Sequence, residues 1–268
     1  MFSEASPVVL IGCGKMGRAL LEGWLRGGIA PESIVVVDHH AEDLSHFSNI
    51  HRVFSIGTLQ VSLRPRAVVL CVKPTSFDEL ADTCHFLVAP DTVFLSVMAG
   101  KTVSTLQMGL GRDARVVRSM TNLPACIGQG MTVLCPGHNV NDGQREVCSL
   151  LAQGVGVVRW VEEEGLLDVI TAIAGSGPAY IFHLVDVLTQ MGQKLGLPEE
   201  LAPILAQQTV CGAGELLQKS SLPPIELSQA VSSPGGTTEA ALEVFIPGLE
   251  ELIEKTLLAA INHNRSLN

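Results

Sequence analysis

Residues Gly12-Cys13-Gly14-Lys15-Met16-Gly17 form a complete G-x-G-x-x-G run, and their surroundings constrain this chain more than any other segment. Val8-Val9-Leu10-Ile11, just before it, is a continuous apolar run of the kind found in buried parallel strands. Lys15 to Arg26 carries a helical pattern, and Ile34-Val35-Val36-Val37 reads as a second buried strand. In a strand–turn–helix–strand unit each glycine has its own task. Gly12 permits the tight turn, Gly14 lets the backbone approach a pyrophosphate, and Gly17 lets the helix pack on the strand. The helix N-terminus then offers unpaired N–H groups to the phosphates. Asp38 closes the second strand, 21 residues past Gly17, where a carboxylate accepts from the adenosine ribose hydroxyls. The expectation is a nicotinamide-dependent oxidoreductase. A 2′-phosphate beside Asp38 would be repelled, and His39-His40-Ala41-Glu42-Asp43 supplies no Arg or Lys to neutralise it, which favours NADH over NADPH.

Strand-like runs continue at Ala67–Val72, Thr92–Val97, Arg115–Arg118 and Met131–Leu134, separated by helical stretches. That alternation predicts a doubly wound parallel sheet covered on both faces. Beyond Val161 the β-branched clusters vanish. Helical patterns run over Glu162–Ile173, Pro178–Leu195 and Glu199–Lys219, with one or two more helices between Thr238 and Ile261. Charge changes at the same place: residues 161–268 carry 14 acidic and 4 basic side chains, which accounts for the whole formal charge of −10. The expected organisation is a dinucleotide-binding domain over 1–160 and an all-helical domain over 161–268. Small residues (Ala206, Gly212, Ala213, Gly214) suit close helix contacts, and so apolar a bundle is expected to make a homodimer or larger assembly.

Several function classes are disfavoured. The acidic half argues against nucleic-acid and anionic-membrane partners, and a single Tyr (Tyr180) leaves few stacking platforms. Seven cysteines without a C-x-x-C pair, and an N-terminus without a basic leader, point to a reducing cytoplasm. No uninterrupted apolar run reaches the roughly 18–20 residues of a membrane span. HExxH, G-x-S-x-G, P-loop and spaced Cys/His patterns are all missing, so metal and nucleophilic chemistry are disfavoured. His183, inside the long apolar helix, reads as a packed residue.

Three further segments carry chemistry. Val72-Lys73-Pro74 closes a strand at its carboxyl end, where ligands bind in open parallel sheets. Gly175-Ser176-Gly177-Pro178 opens the long helix, with Ser176 or Gly177 as its cap. Ser232-Ser233-Pro234-Gly235-Gly236-Thr237-Thr238 concentrates N–H and O–H donors before another helix, a nest suited to a small carboxylate or else a capping loop.

Taken together, seven segments resemble the pyrroline-5-carboxylate reductases. They are IGCGKMGRALLEGW (Ile11–Trp24), CVKP (Cys71–Pro74), VRSMTNLPACIGQG (Val117–Gly130), TAIAGSGPAYIF (Thr171–Phe182), LGLP (Leu195–Pro198), QTV (Gln208–Val210) and VSSPGGTTEAAL (Val231–Leu242). The last is the most specific. The resemblance implies a Rossmann domain followed by an all-helical dimerisation domain, with dimers often assembled into decamers. It implies reduction of the cyclic imine Δ1-pyrroline-5-carboxylate to L-proline with NADH or NADPH. The substrate carboxylate would lie against Ser233 and the backbone of Gly235, Gly236 and Thr237. Thr238 would hydrogen-bond the ring nitrogen, and the nicotinamide would lie near Lys73 and Pro178; proton delivery by Thr238 is a hypothesis that stands beside a substrate arriving already protonated. The chain departs from the family's usual MPNTP at Met120-Thr121-Asn122-Leu123-Pro124, and from its SIAAG at Ser96-Val97-Met98-Ala99-Gly100. Two other readings stay open: another two-domain imine or β-hydroxyacid reductase, and a non-catalytic dinucleotide sensor. The first is disfavoured because Lys194 stands at the far end of the long helix, where such hydroxyacid enzymes place no catalyst.

Overall fold

The computed structural model describes residues 2–40 and 44–266, so Ala41, Glu42 and Asp43, part of the argument for NADH, lie outside the described residues. Two compact units emerge: Met1–Gly175 together with His263–Asn268, and Ser176–Asn262.

The first unit is built on an eight-stranded sheet. Its strands are β1 (Val8–Ile11), β2 (Ile34–Val37), β3 (His51–Val53), β4 (Ala67–Leu70), β5 (Val93–Ser96), β6 (Arg115–Thr121), β7 (Gly130–Pro136) and β8 (Gly156–Trp160), in the order β3-β2-β1-β4-β5-β6-β7-β8. The strands alternate their side chains between two cores. Val8, Leu10, Val36, Val69 and Leu95 face one core with Leu20, Leu21 and Trp24 of α1 (Lys15–Arg26) and Val147 and Leu151 of α4 (Asp142–Gln153). Val9, Ile11, Val35, Val68 and Phe94 face the other, with Phe77 and Ala81 of α2 (Phe77–Cys84) and Leu106 and Leu110 of α3 (Val103–Leu110). Burial on both faces explains why β1, β2 and β4 are apolar throughout rather than alternating. The Trp24 indole N–H donates to the Leu151 carbonyl at 2.8 Å, tying α1 to α4.

The doubly wound plan holds, with one junction reversed: β7 runs antiparallel to β6, while the other pairings in the sheet are parallel. The link from Thr121 to Gly130 contains only the short 3-10 segment Leu123–Ile127. A parallel crossover needs a dozen residues or more, so the chain has to turn straight back.

The two compact units meet at Gly175/Ser176. Packing decides this. Leu167 of α5 (Leu166–Ile170) is buried with Met120, Val133 and Cys135 of the sheet. The buried Arg118 side chain pairs with Glu164 at 2.9 Å, and Glu164 also accepts the Val103 N–H at 2.8 Å. The end of the C-terminal helix belongs to this unit too, since Asp168 accepts from Asn264 (2.7 Å) and pairs with Arg265 (3.3 Å).

The second unit contains α6 (Gly177–Lys194), α7 (Leu201–Lys219), α8 (Pro224–Ala230) and most of α9 (Thr237–Ser266). The helix α9 continues through Pro247, so Thr238–Ile261 lies within one helix. Ala202 and Ala206 are the apolar residues buried here among those described, while Phe182, Ile204, Val244 and Leu252 stand 60%, 63%, 80% and 61% exposed. A helical unit with so little core of its own needs a partner surface. The helix contact uses the first half of α7, whereas Gly212, Ala213 and Gly214 are exposed. His183 is likewise exposed within the chain.

Two expectations about this region are corrected. Ser176 does not cap a new helix: its backbone is already helical (φ −84°, ψ −22°), because a π-turn over Thr171–Gly175 joins α5 to α6. Pro178 still occupies the first turn of α6, where its missing N–H costs nothing. Because the helical run is continuous, Leu166–Lys194 is long and apolar enough to cross a membrane by length and composition. Judging by uninterrupted apolar runs missed it, since Gly175-Ser176-Gly177-Pro178 lowers the hydropathy without ending the helix.

Candidate cofactor and substrate sites

The glycine turn is shaped by contact. Gly12 has φ +89°, and its N–H donates to the Val37 carbonyl at 2.8 Å. A Cβ on Gly12 would lie 2.4 Å from the Cys71 carbonyl oxygen, and one on Gly17 would lie 2.3 Å from the Gly12 carbonyl oxygen. These two glycines let β1, β4 and α1 converge. Gly14 differs: it precedes α1 in extended conformation, and a Cβ there would meet nothing within 4 Å. Open space at the helix N-terminus, where first-turn N–H groups have no partner in their own helix, fits a pyrophosphate. Lys15 is exposed at the start of α1, and Met16 packs against the core.

Asp38 has a structural task as well as the expected ligand task. Its Oδ2 accepts the Cys13 N–H at 2.6 Å and its Oδ1 accepts the His40 N–H at 2.8 Å. The carboxylate thereby locks the turn after β1 to the end of β2, and each oxygen retains further acceptor capacity. Asp38 also lines a cavity of about 330 Å³ with Gly12, Phe54, Ile56, Val72 and Glu79. Phe54-Ser55-Ile56 escaped the sequence reading because they follow β3, a three-residue edge strand whose polar His51 and Arg52 give no strand pattern. Lys73 is exposed beyond β4 and precedes a short 3-10 turn, Pro74–Ser76. Burial pushes the Cys13 thiol up to about 11 and the Cys71 thiol to about 12, so both are protonated at neutral pH and neither offers a thiolate.

In the second unit the donor-rich loop forms a tight turn onto α9. Gly235 takes φ +70°, and the Gly236 N–H donates to the Ser233 carbonyl at 2.8 Å. A Cβ on Gly236 would come within 2.4 Å of Ser233 Oγ, so glycine keeps that hydroxyl in place. Thr237 and Thr238 follow in the first turn of α9, a long helix whose N-terminus favours an anion. Ser233, Gly235, Gly236, Thr237 and Thr238 are thus brought together. The Gly235 N–H meanwhile donates to Glu239 Oε2 at 2.7 Å, a contact that no sequence pattern announced. Pro178 belongs to this unit, and Gly12 to Gly17, Asp38, Val72, Lys73 and Pro74 to the other.

Comparison with known proteins adds independent findings. Residues 164–267 match the family model described as pyrroline-5-carboxylate reductase dimerisation, and residues 7–107 match that described as NADP oxidoreductase, coenzyme F420-dependent. A pyrroline-5-carboxylate reductase of Pseudomonas aeruginosa is 34% identical over 265 residues, covering 97% of this chain and 96% of its own. The solved pyrroline-5-carboxylate reductase of Coxiella burnetii superposes with a TM-score of 0.91 at 32% identity, covering 98% of this chain and 99% of its own. A Plasmodium falciparum pyrroline carboxylate reductase, solved with NADP bound, shares the fold at 24% identity (TM-score 0.82, covering 98% of each chain).

Proposed function

Since the chain belongs to the pyrroline-5-carboxylate reductase family, we propose that Ser233–Thr238 holds the substrate carboxylate and that Gly12–Gly17 with Asp38 holds the dinucleotide. The protein is an NAD(P)H-dependent oxidoreductase that reduces Δ1-pyrroline-5-carboxylate to L-proline, and it is a homo-oligomer. The observation that carries the site assignment is the Ser233–Thr238 turn itself. Glycines, hydroxyls and the N-terminus of α9 come together there, a set of donors suited to a small carboxylate.

A protonated C=N bond is already a strong electrophile, so the reaction needs orientation more than a potent acid. When bound, the reduced nicotinamide supplies the hydride that adds to the imine carbon. In this reading Ser233 and the backbone N–H groups at the start of α9 hold the carboxylate and fix the ring, and Thr238 hydrogen-bonds the ring nitrogen. That nitrogen carries the proton of the secondary amine product. Gly14 leaves room for the pyrophosphate, and Val72, Lys73 and Pro74 border the nicotinamide. Dimers formed through α6, α7 and α9, assembled further into a decamer, belong to the same reading, supported by the exposed apolar residues of these helices. So does a cytoplasmic location, supported by seven cysteines that all remain free thiols.

We further propose that NADH is preferred. Asp38 and Glu79 both line the cavity, and its described lining contains no Lys or Arg. A 2′-phosphate bound there would meet like charge, and for two charges about 4 Å apart such repulsion is worth on the order of 1–4 kcal/mol. Steady-state kinetics with both cofactors should show kcat/KM higher for NADH by on the order of tenfold or more. In Asp38→Ser that ratio should shrink, while both cofactors bind less tightly because the Cys13 N–H loses its acceptor. Equal or better use of NADPH by the unmodified protein would reject the preference.

A further inference from the structure

The turn that this reading gives to the substrate carboxylate already holds a carboxylate. Glu239 is the third residue of α9, and its Oε2 accepts the Gly235 N–H at 2.7 Å. In an ordinary capping box the acid at the third helical position accepts from the residue just before the helix. Here that residue is Gly236, whose N–H goes instead to the Ser233 carbonyl at 2.8 Å. Glu239 reaches one residue further back, to a glycine whose φ of +70° turns its N–H toward the helix. The Glu239 side chain is exposed within its own chain. Gly235 is also one of the backbone donors assigned above to the substrate.

We propose that Glu239 is an internal stand-in for the substrate carboxylate: it holds the Ser233–Thr238 turn in its anion-binding shape in the free enzyme and is displaced when substrate binds. The inference rests on the substrate reading given above. Two carboxylates cannot share one N–H, because at such range they repel each other even through partial solvent screening. Substrate binding therefore includes the cost of expelling Glu239, which makes this residue a determinant of KM and not of the hydride step. Glu239 is a positioning residue in this account.

Glu239→Gln removes the charge but keeps the length and an acceptor oxygen, so the turn retains its shape. It is expected to lower KM for pyrroline-5-carboxylate about three- to tenfold with kcat little changed. The dissociation constant of L-proline, measured by calorimetry with no turnover, should fall by the same factor. Glu243→Gln is the control: Glu243 stands one helical turn on and lines a surface hollow with Ser232 and Glu239, and its variant should match the unmodified protein. A KM that is unchanged or raised in Glu239→Gln, or lowered equally in Glu243→Gln, overturns the inference. Ser233→Ala separates the two levels of the account. Raised KM in Ser233→Ala with no gain in Glu239→Gln rejects only the stand-in role, whereas unchanged KM in Ser233→Ala rejects the substrate reading beneath it.

Discussion

Gly12→Ala is expected to abolish measurable dinucleotide binding and to destabilise the first unit by about 2–4 kcal/mol. Two independent costs combine at this residue. A φ of +89° is strained for any residue with a Cβ, and the added carbon would sit 2.4 Å from the Cys71 carbonyl oxygen and 2.9 Å from Val72 Cγ1. The Cys71 carbonyl is backbone beside the buried strand β4, paired along its length with β1, so it cannot move away cheaply. Relief has to come from the turn itself, which carries the Cys13 N–H off Asp38 and the start of α1 off its position. Gly14→Ala supplies the contrast, since a Cβ there meets open space. It should melt within about a degree of the unmodified protein yet lose on the order of 10²-fold in kcat/KM, because the space it fills is where the pyrophosphate would lie. Thermal melting and fluorescence titration with NADH check both variants. Tight NADH binding by Gly12→Ala would refute this account of the turn.

Thr238→Ala carries the second large effect. If the hydroxyl hydrogen-bonds the ring nitrogen as the proton is delivered, its removal should lower kcat/KM on the order of 10²-fold, mostly through kcat, and Thr238→Ser should restore most of it. The fold should be indifferent, since Thr238 lies in the first turn of α9, where helix formation does not depend on its side chain. Full kcat/KM in Thr238→Ala would remove it from the chemistry and leave a substrate that arrives already protonated.

The sequence revealed most where local pattern and tertiary burial agree. Val8–Ile11, Lys15–Arg26 and Ile34–Val37 were legible to the residue because both faces of the sheet are covered and the glycines mark the turn between them. The edge strands His51–Val53 and Gly156–Trp160 were not, since a strand lacking neighbours on one side has no need of a continuous apolar run. The Phe54–Ile56 wall of the cavity was lost with β3. Beyond the charge step at residue 160, Leu167 and Asp168 pack with the sheet-bearing unit, through the buried apolar contact of one and the Asn264 hydrogen bond of the other, contacts that composition does not announce. The π-turn at Thr171–Gly175 has no sequence signature that distinguishes it from a helix start, so Ser176 passed for a cap. The Ser233–Thr238 turn was legible as a cluster of donors, but its occupation by Glu239 depends on the φ of Gly235 and on a side chain reaching back four residues.

The measurement that bears most directly on the whole account is oxidation of NADH and NADPH by the purified protein in the presence of Δ1-pyrroline-5-carboxylate, with L-proline identified as the product. The account predicts substrate-dependent oxidation, faster with NADH, and proline formed one for one with cofactor consumed. Binding of NADH without oxidation of either cofactor would contradict it and would leave a dinucleotide sensor in place of a reductase.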